Sequence, residues 1–154
     1  MKKDVVMILV SLFFLIGAGC EQSTIPELNS FEDWSDSLPL YYLENGVNDV
    51  TKTALEKNDI EECNAVMIEP ISPEKIKTYL ACKTAMAKQE AFLKKDYEKC
   101  KEFYSEEDKK EYEECMAPIV AYSAISSKDK SQCGTYLTNA RLTELCEVDY
   151  ENYA

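Results

Sequence analysis

The chain has 154 residues, with 29 acidic and 17 basic side chains, no histidine and seven cysteines, for a formal net charge of −12. That balance argues against a nucleic-acid partner, because phosphate binding needs matched cations. Without histidine there is no Ser-His or Cys-His nucleophile and base pair and no zinc-protease helix, and the four glycines leave no phosphate-cradling loop.

Lys2 and Lys3 precede a weakly polar or apolar run, Val5 to Gly19, that ends in small residues before Cys20. This is the layout of an export signal, and it is short for a transmembrane helix of roughly 20 residues. The segment Leu15-Ile16-Gly17-Ala18-Gly19-Cys20 resembles the lipobox of prokaryotic lipoproteins. Ala18 and Gly19 fit that processing site, whereas Gly17 departs from the usual leucine-like residue. The resemblance covers residues 1–20 only. It implies a signal peptide over 1–19, a lipid on Cys20 and a position on the extracytoplasmic face of a prokaryotic membrane. The alternative is an uncleaved anchor, or an ordinary signal with Cys20 incidental. Parity agrees with lipidation, since using Cys20 leaves six cysteines in an oxidising space. From Cys20 onward the charge is −13, so an anionic bilayer repels the body as a whole and attachment is expected from the lipid.

Residues 20–48 read as an acidic linker with short capping helices. Glu21 to Asn29 is a spacer. Ser30-Phe31-Glu32-Asp33 predicts a capped helix, and Pro39-Leu40-Tyr41-Tyr42-Leu43 a second, ended near Asn45-Gly46. Trp34, Leu38, Tyr41 and Tyr42 are too apolar for a tether. They are expected to dock on the first repeat and cover its exposed face, with a binding peptide as the other reading.

Residues 49–154 read as a helical repeat domain. Asp59, Asp96 and Asp129 each stand four residues before a cysteine (Cys63, Cys100, Cys133) and five after an alanine (Ala54, Ala91, Ala124), which a bulky apolar residue follows (Leu55, Phe92, Ile125). Each aspartate is placed as an N-cap, with Glu62 and Gln132 at capping-box spacing from Asp59 and Asp129. A short helix of about nine residues should follow each cap. Longer helices should start at Ser72-Pro73-Glu74, at Ser105 to Asp108 and near Thr138. In the first of these, Ile76, Tyr79, Leu80, Met86, Ala87 and Ala91 form one stripe, expected to be its core face. Asp49 to Asn58 reads as the tail of a preceding long helix. Pro118, inside the second long helix, predicts a kink or break.

If each short helix packs on the long helix that follows, the pairs are Cys63–Cys82, Cys100–Cys115 and Cys133–Cys146. The competing readings are buried free thiols and a metal or cluster site. Against metal, no two of these cysteines are closer than 13 positions and no histidine completes a site. The spacings match neither the twin C-x9-C proteins nor saposins, and the tetratricopeptide signature is missing. The acidic runs Glu106-Glu107-Asp108 and Glu113-Glu114 read as solvated helix faces, with glycoside hydrolysis or weak calcium binding as the sharper readings.

The expectation is therefore an all-α chain of three short disulfide-stapled αα-hairpin repeats in a small solenoid-like array. Its expected role is that of a lipid-anchored, non-enzymatic module for a protein or peptide partner, without metal or cofactor. The alternative is a hydrolase or carbohydrate-active lipoprotein built on acidic residues.

Overall fold

A computed structural model describes residues 30–36, 38–43, 47–107 and 109–154. Among them every regular element is helical and there is no strand. In chain order the elements are α1 (Phe31–Asp36), a 3₁₀ turn (Leu40–Tyr42), α2 (Asp49–Lys57), a 3₁₀ helix (Ile60–Val66), α3 (Pro73–Lys94), α4 (Tyr97–Cys100) running into a 3₁₀ turn (Lys101–Phe103), α5 (Lys110–Ser127), α6 (Ser131–Tyr136) and α7 (Ala140–Tyr153). The helices α2, α3, α5 and α7 pack in that order as a row, and each short helical segment lies against the two long helices it connects.

The repeated alanine and aspartate mark a corner built the same way three times. Asn58, Lys95 and Lys128 end their helices in the left-handed conformation, at φ of 50°, 53° and 56°. Their amides donate to the carbonyls of Leu55, Phe92 and Ile125, and the amides of Asp59, Asp96 and Asp129 reach back to Ala54, Ala91 and Ala124. This is a Schellman closure, which satisfies carbonyls that the helix end leaves bare. The three alanines are fully buried at these corners. Each aspartate then turns its carboxylate onto the amide two residues ahead, Glu61, Glu98 and Ser131, at 3.0, 3.0 and 3.1 Å.

Several expectations need correction here. Asp59 and Asp96 are N-caps, but α6 begins one residue later than predicted, with Lys130 at the cap position and Asp129 just before it. The reciprocal half of the capping box does not form: Glu62 instead accepts from Lys57, and Gln132 donates to Ser127. The short segments are also shorter than nine residues, at seven (60–66), seven (97–103) and six (131–136). Helix α5 runs unbroken through Pro118, which is buried in the core between its neighbours.

The core centres on α5. Because α3, α4, α6, α7 and the Leu40–Tyr42 turn all contact it, α5 is buried on nearly every side. A smaller apolar cluster joins α2, the 60–66 helix and α3 through Ala54, Leu55, Cys63, Cys82, Ala85 and Met86. The N-terminal strap, 31–36 and 38–43, sets Trp34, Leu38 and Tyr42 in the main core around α5 rather than over the exposed face of the first repeat. Trp34 is fully buried, edge-on to Phe92, and near Tyr153, while Tyr41 and Tyr42 reach Asp149 on the last helix. The strap thus crosses the array and ties its end to its middle, and it meets the first hairpin at Phe92, near the C-terminal end of α3, and through Leu40 and Leu43 in the smaller cluster. The expected αL residue near Asn45-Gly46 lies outside the described residues.

Candidate functional site

The six cysteines from Cys63 onward form Cys63–Cys82, Cys100–Cys115 and Cys133–Cys146, with Cα separations of 5.8, 5.5 and 5.7 Å. Each sulfur pair bridges one short helix to the long helix after it, and all six residues are fully buried. Cys20 lies outside the described residues. Among the described residues, no three cysteine, aspartate or glutamate side chains converge as metal ligands.

Between the first and second hairpins runs a groove of about 360 Å³, walled by Leu43, Val47 and Thr51 on one side and by Phe103 and Glu111 on the other, with Thr84 and Lys88 below. Its floor is ionic. Lys88 is only 2% exposed and donates to Glu114 at 2.6 Å and to Glu111. Glu114 is buried and Glu111 half-open at the rim. The Lys88 ammonium also stands 5.8 Å from the centroid of Phe103. A buried lysine needs such partners, since stripping an ammonium of water is costly unless carboxylates pair with it. The two carboxylates therefore share one cation, which fixes them side by side and aims Glu111 at the opening.

Lys88 was legible only as one polar position on a helix. The sequence pattern placed Ile76 and Leu80 in the core stripe of α3, but both are exposed, and Lys88 and Gln89 are buried in their stead. The reason is that α3 has α2 and α5 as neighbours, and the 82–85–86–89 edge together with 88 and 92 faces them. Gln89 is held by donating to the Leu55 carbonyl and to Asn58 Oδ1, at 3.1 and 3.3 Å.

A second cavity of about 360 Å³ opens beside Lys95, lined by Tyr97, Tyr122, Ser123 and Ser126 among others. The Lys95 ammonium sits 3.7 Å from the Phe92 ring centroid and 4.2 Å from that of Tyr122, and donates to the Ser35 carbonyl at 3.4 Å. Burial among these rings lowers its pKa to about 8, against the opposing pull of Asp36. This lysine locks the strap to the body.

Of the acidic runs, Glu113 turns inward. It accepts from the amides of Thr138 and Asn139 at 3.2 and 2.7 Å and from the Thr138 hydroxyl, so it holds the loop that starts α7. It is structural, and with Glu114 committed to Lys88 the Glu113-Glu114 run is not a solvated face. No protein-family model, curated protein or solved structure matches the chain.

Proposed function

We propose that the chain is a lipid-tethered, extracytoplasmic interaction module, without catalytic activity, that holds a peptide or protein segment in the groove above Lys88. The observation that carries this reading is the set of three fully buried disulfides, one per hairpin. Such bonds persist in oxidising compartments and are rare where thiols are kept reduced. The lipobox-like residues ending at Cys20 supply the route to that compartment and the tether. Among the described residues no helix is long and apolar enough to cross a membrane.

The groove supports binding rather than turnover. Its apolar walls, Leu43, Val47 and Phe103, offer hydrophobic contact, and the Thr84 side chain offers a polar group for orientation. The hydrolase reading draws on Glu111 and Glu114, two carboxylates in one cleft. Their shared ammonium counts against it, because both carboxylates are already engaged by Lys88 rather than left open to a substrate.

The tether is tested by intact mass of Cys20 in the native chain and by fractionation of Cys20→Ser, which should move from membranes to the soluble fraction. Retention on membranes would overturn it. The groove is tested by crosslinking on intact cells with Thr84→Arg as control. A partner captured by the native chain and lost with Thr84→Arg supports the groove, and capture unchanged by Thr84→Arg overturns it.

A further inference from the structure

Five of the exposed large apolar side chains, Ile60, Ile68, Ile71, Ile76 and Leu80, belong to the first hairpin, and Ile68 and Leu80 are 68% and 57% exposed. Ile76 and Leu80 stand one turn apart on α3, so they share a face. Lys75 Nζ donates to the carbonyls of Ile68 and Pro70 at 2.6 and 3.0 Å, which holds the loop before α3 against its first turn. Ile68 and Ile71 are thereby held near Ile76 at the start of α3, with Leu80 one turn further on. The strap meets α3 at Phe92, and at 1.5 Å per residue that is about 24 Å along the helix from Ile76.

The chemistry of this end fits a lipid surface. The side chains are aliphatic and project from a loop and the first turns of a helix, and neither groove described above includes them. At 100° per residue, Lys77 and Lys83 flank the Ile76–Leu80 stripe on its two sides. From Val66 to Lys83 there are three lysines and two glutamates, a local excess of cations in a chain of net charge −12. Aliphatic groups below, with ammonium groups at their flanks, match the boundary between acyl chains and phosphates.

Reach is also sufficient. Ten residues from Cys20 to Ser30 span at most about 36 Å when extended, which exceeds the distance along α3 from the strap to Ile76.

We infer that the free end of the first hairpin lies on the bilayer, with Ile68, Ile71, Ile76 and Leu80 below the headgroups and Lys77 and Lys83 at the level of the phosphates. The inference rests on the tethered reading for its biological setting, though the contact itself does not need the lipid on Cys20. Repulsion of the acidic remainder from an anionic surface turns this end down and leaves the rest of the body facing solvent.

The test uses the exported Cys20→Ser chain and sedimentation with vesicles of equal parts phosphatidylcholine and phosphatidylglycerol. The chain should co-sediment. Ile71→Asp/Leu80→Asp should weaken partitioning at least tenfold with unchanged circular dichroism. If that pair loses helicity, Ile68→Asp, at the most exposed position, takes its place. Lys77→Glu/Lys83→Glu should weaken binding on the mixed vesicles and not on phosphatidylcholine alone. Failure to sediment, or equal sedimentation of the aspartate variants, overturns the inference. So does a concentration-dependent dimer that the aspartate variants abolish, which would assign the face to a second copy. A native chain lacking lipid mass on Cys20 would overturn the tether and leave the vesicle result standing.

Discussion

Tyr42 donates its hydroxyl to Oδ2 of Asp149 at 2.6 Å, joining the strap to the last helix across 107 positions of sequence. Tyr41 donates to Oδ1 of the same carboxylate and accepts from the Trp34 indole at 2.9 Å. Asp149 is 3% exposed, and its burial raises its pKa while the hydrogen bonds from Tyr41, Tyr42 and Trp34 pull the other way. Asp149→Leu leaves two tyrosine hydroxyls without their acceptor and should cost about 2–3 kcal/mol in urea denaturation. Asp149→Asn should cost less, because its amide both accepts and donates.

The pH dependence of the same group has a definite sign. With the folded pKa raised, the folded chain holds the proton more tightly than the unfolded one, so the contribution is fully present below the unfolded value of 3.8 and is lost as pH rises through the folded value. Asp149→Asn should remove that part of the slope. Urea midpoints taken from acid to neutral pH check this, and a slope unchanged by Asp149→Asn would refute it.

The strap's destination was not legible in the sequence, and the reason is physical. Trp34, Leu38, Tyr41 and Tyr42 announce burial by composition, but their acceptor Asp149 lies on a helix face whose partner only the packed array defines. The disulfides were legible because the repeat fixes the phase of each cysteine relative to its aspartate. The corners were legible in part. Alanine and aspartate mark the two ends of the Schellman closure, while the residue that bends left-handed, Asn58, Lys95 or Lys128, is not glycine and carries no sequence flag. Lys88 escaped for the opposite reason, since lysine at a core position is visible only with the carboxylates that hold it.

Removing Lys88 exposes how much of the groove depends on it. Lys88→Met leaves Glu114 buried without its ammonium partner and should destabilise by about 3 kcal/mol. Lys88→Met/Glu114→Leu should recover most of the loss, because a well-packed apolar pair avoids the desolvation of both ions. A thermodynamic cycle of the four chains measures the coupling, and additive losses would show that Lys88 and Glu114 do not act as a unit.

Disulfide loss should act unequally. Each bridge closes a loop of similar length, 19, 15 and 13 residues in separation, so chain entropy assigns about 3 kcal/mol to each. Around its disulfide, however, the first hairpin rests on the small cluster of Ala54, Leu55 and Met86, and the strap's Trp34 meets it ten residues further along α3, at Phe92. Cys63→Ala/Cys82→Ala should therefore open 59–72 locally, while Cys100→Ala/Cys115→Ala lowers the global melting temperature. Hydrogen exchange distinguishes the two, and uniform loss of protection in the first variant would contradict it.

Lys95 and Lys128 share a backbone conformation and differ in surroundings, which separates backbone strain from side-chain contact. Lys128 is exposed at φ 56°, so Lys128→Gly relieves the left-handed penalty and should stabilise by about 0.5–1 kcal/mol after the cost of glycine's unfolded freedom. At φ 53°, Lys95→Gly gains the same relief but forfeits the Phe92 and Tyr122 ring contacts and the Ser35 carbonyl, so it should be net destabilising. The pH response adds an independent check. With its folded pKa near 8 and its unfolded value at 10.5, Lys95 binds fewer protons when folded, so its contribution makes stability rise with pH from about 8. Above 10 the raised pKa of Tyr41 and Tyr42 works against it, so the window closes there. Lys95→Met keeps the ring contacts of the stem without the charge and should flatten the rise. A rise that persists in Lys95→Met would place its source on another group.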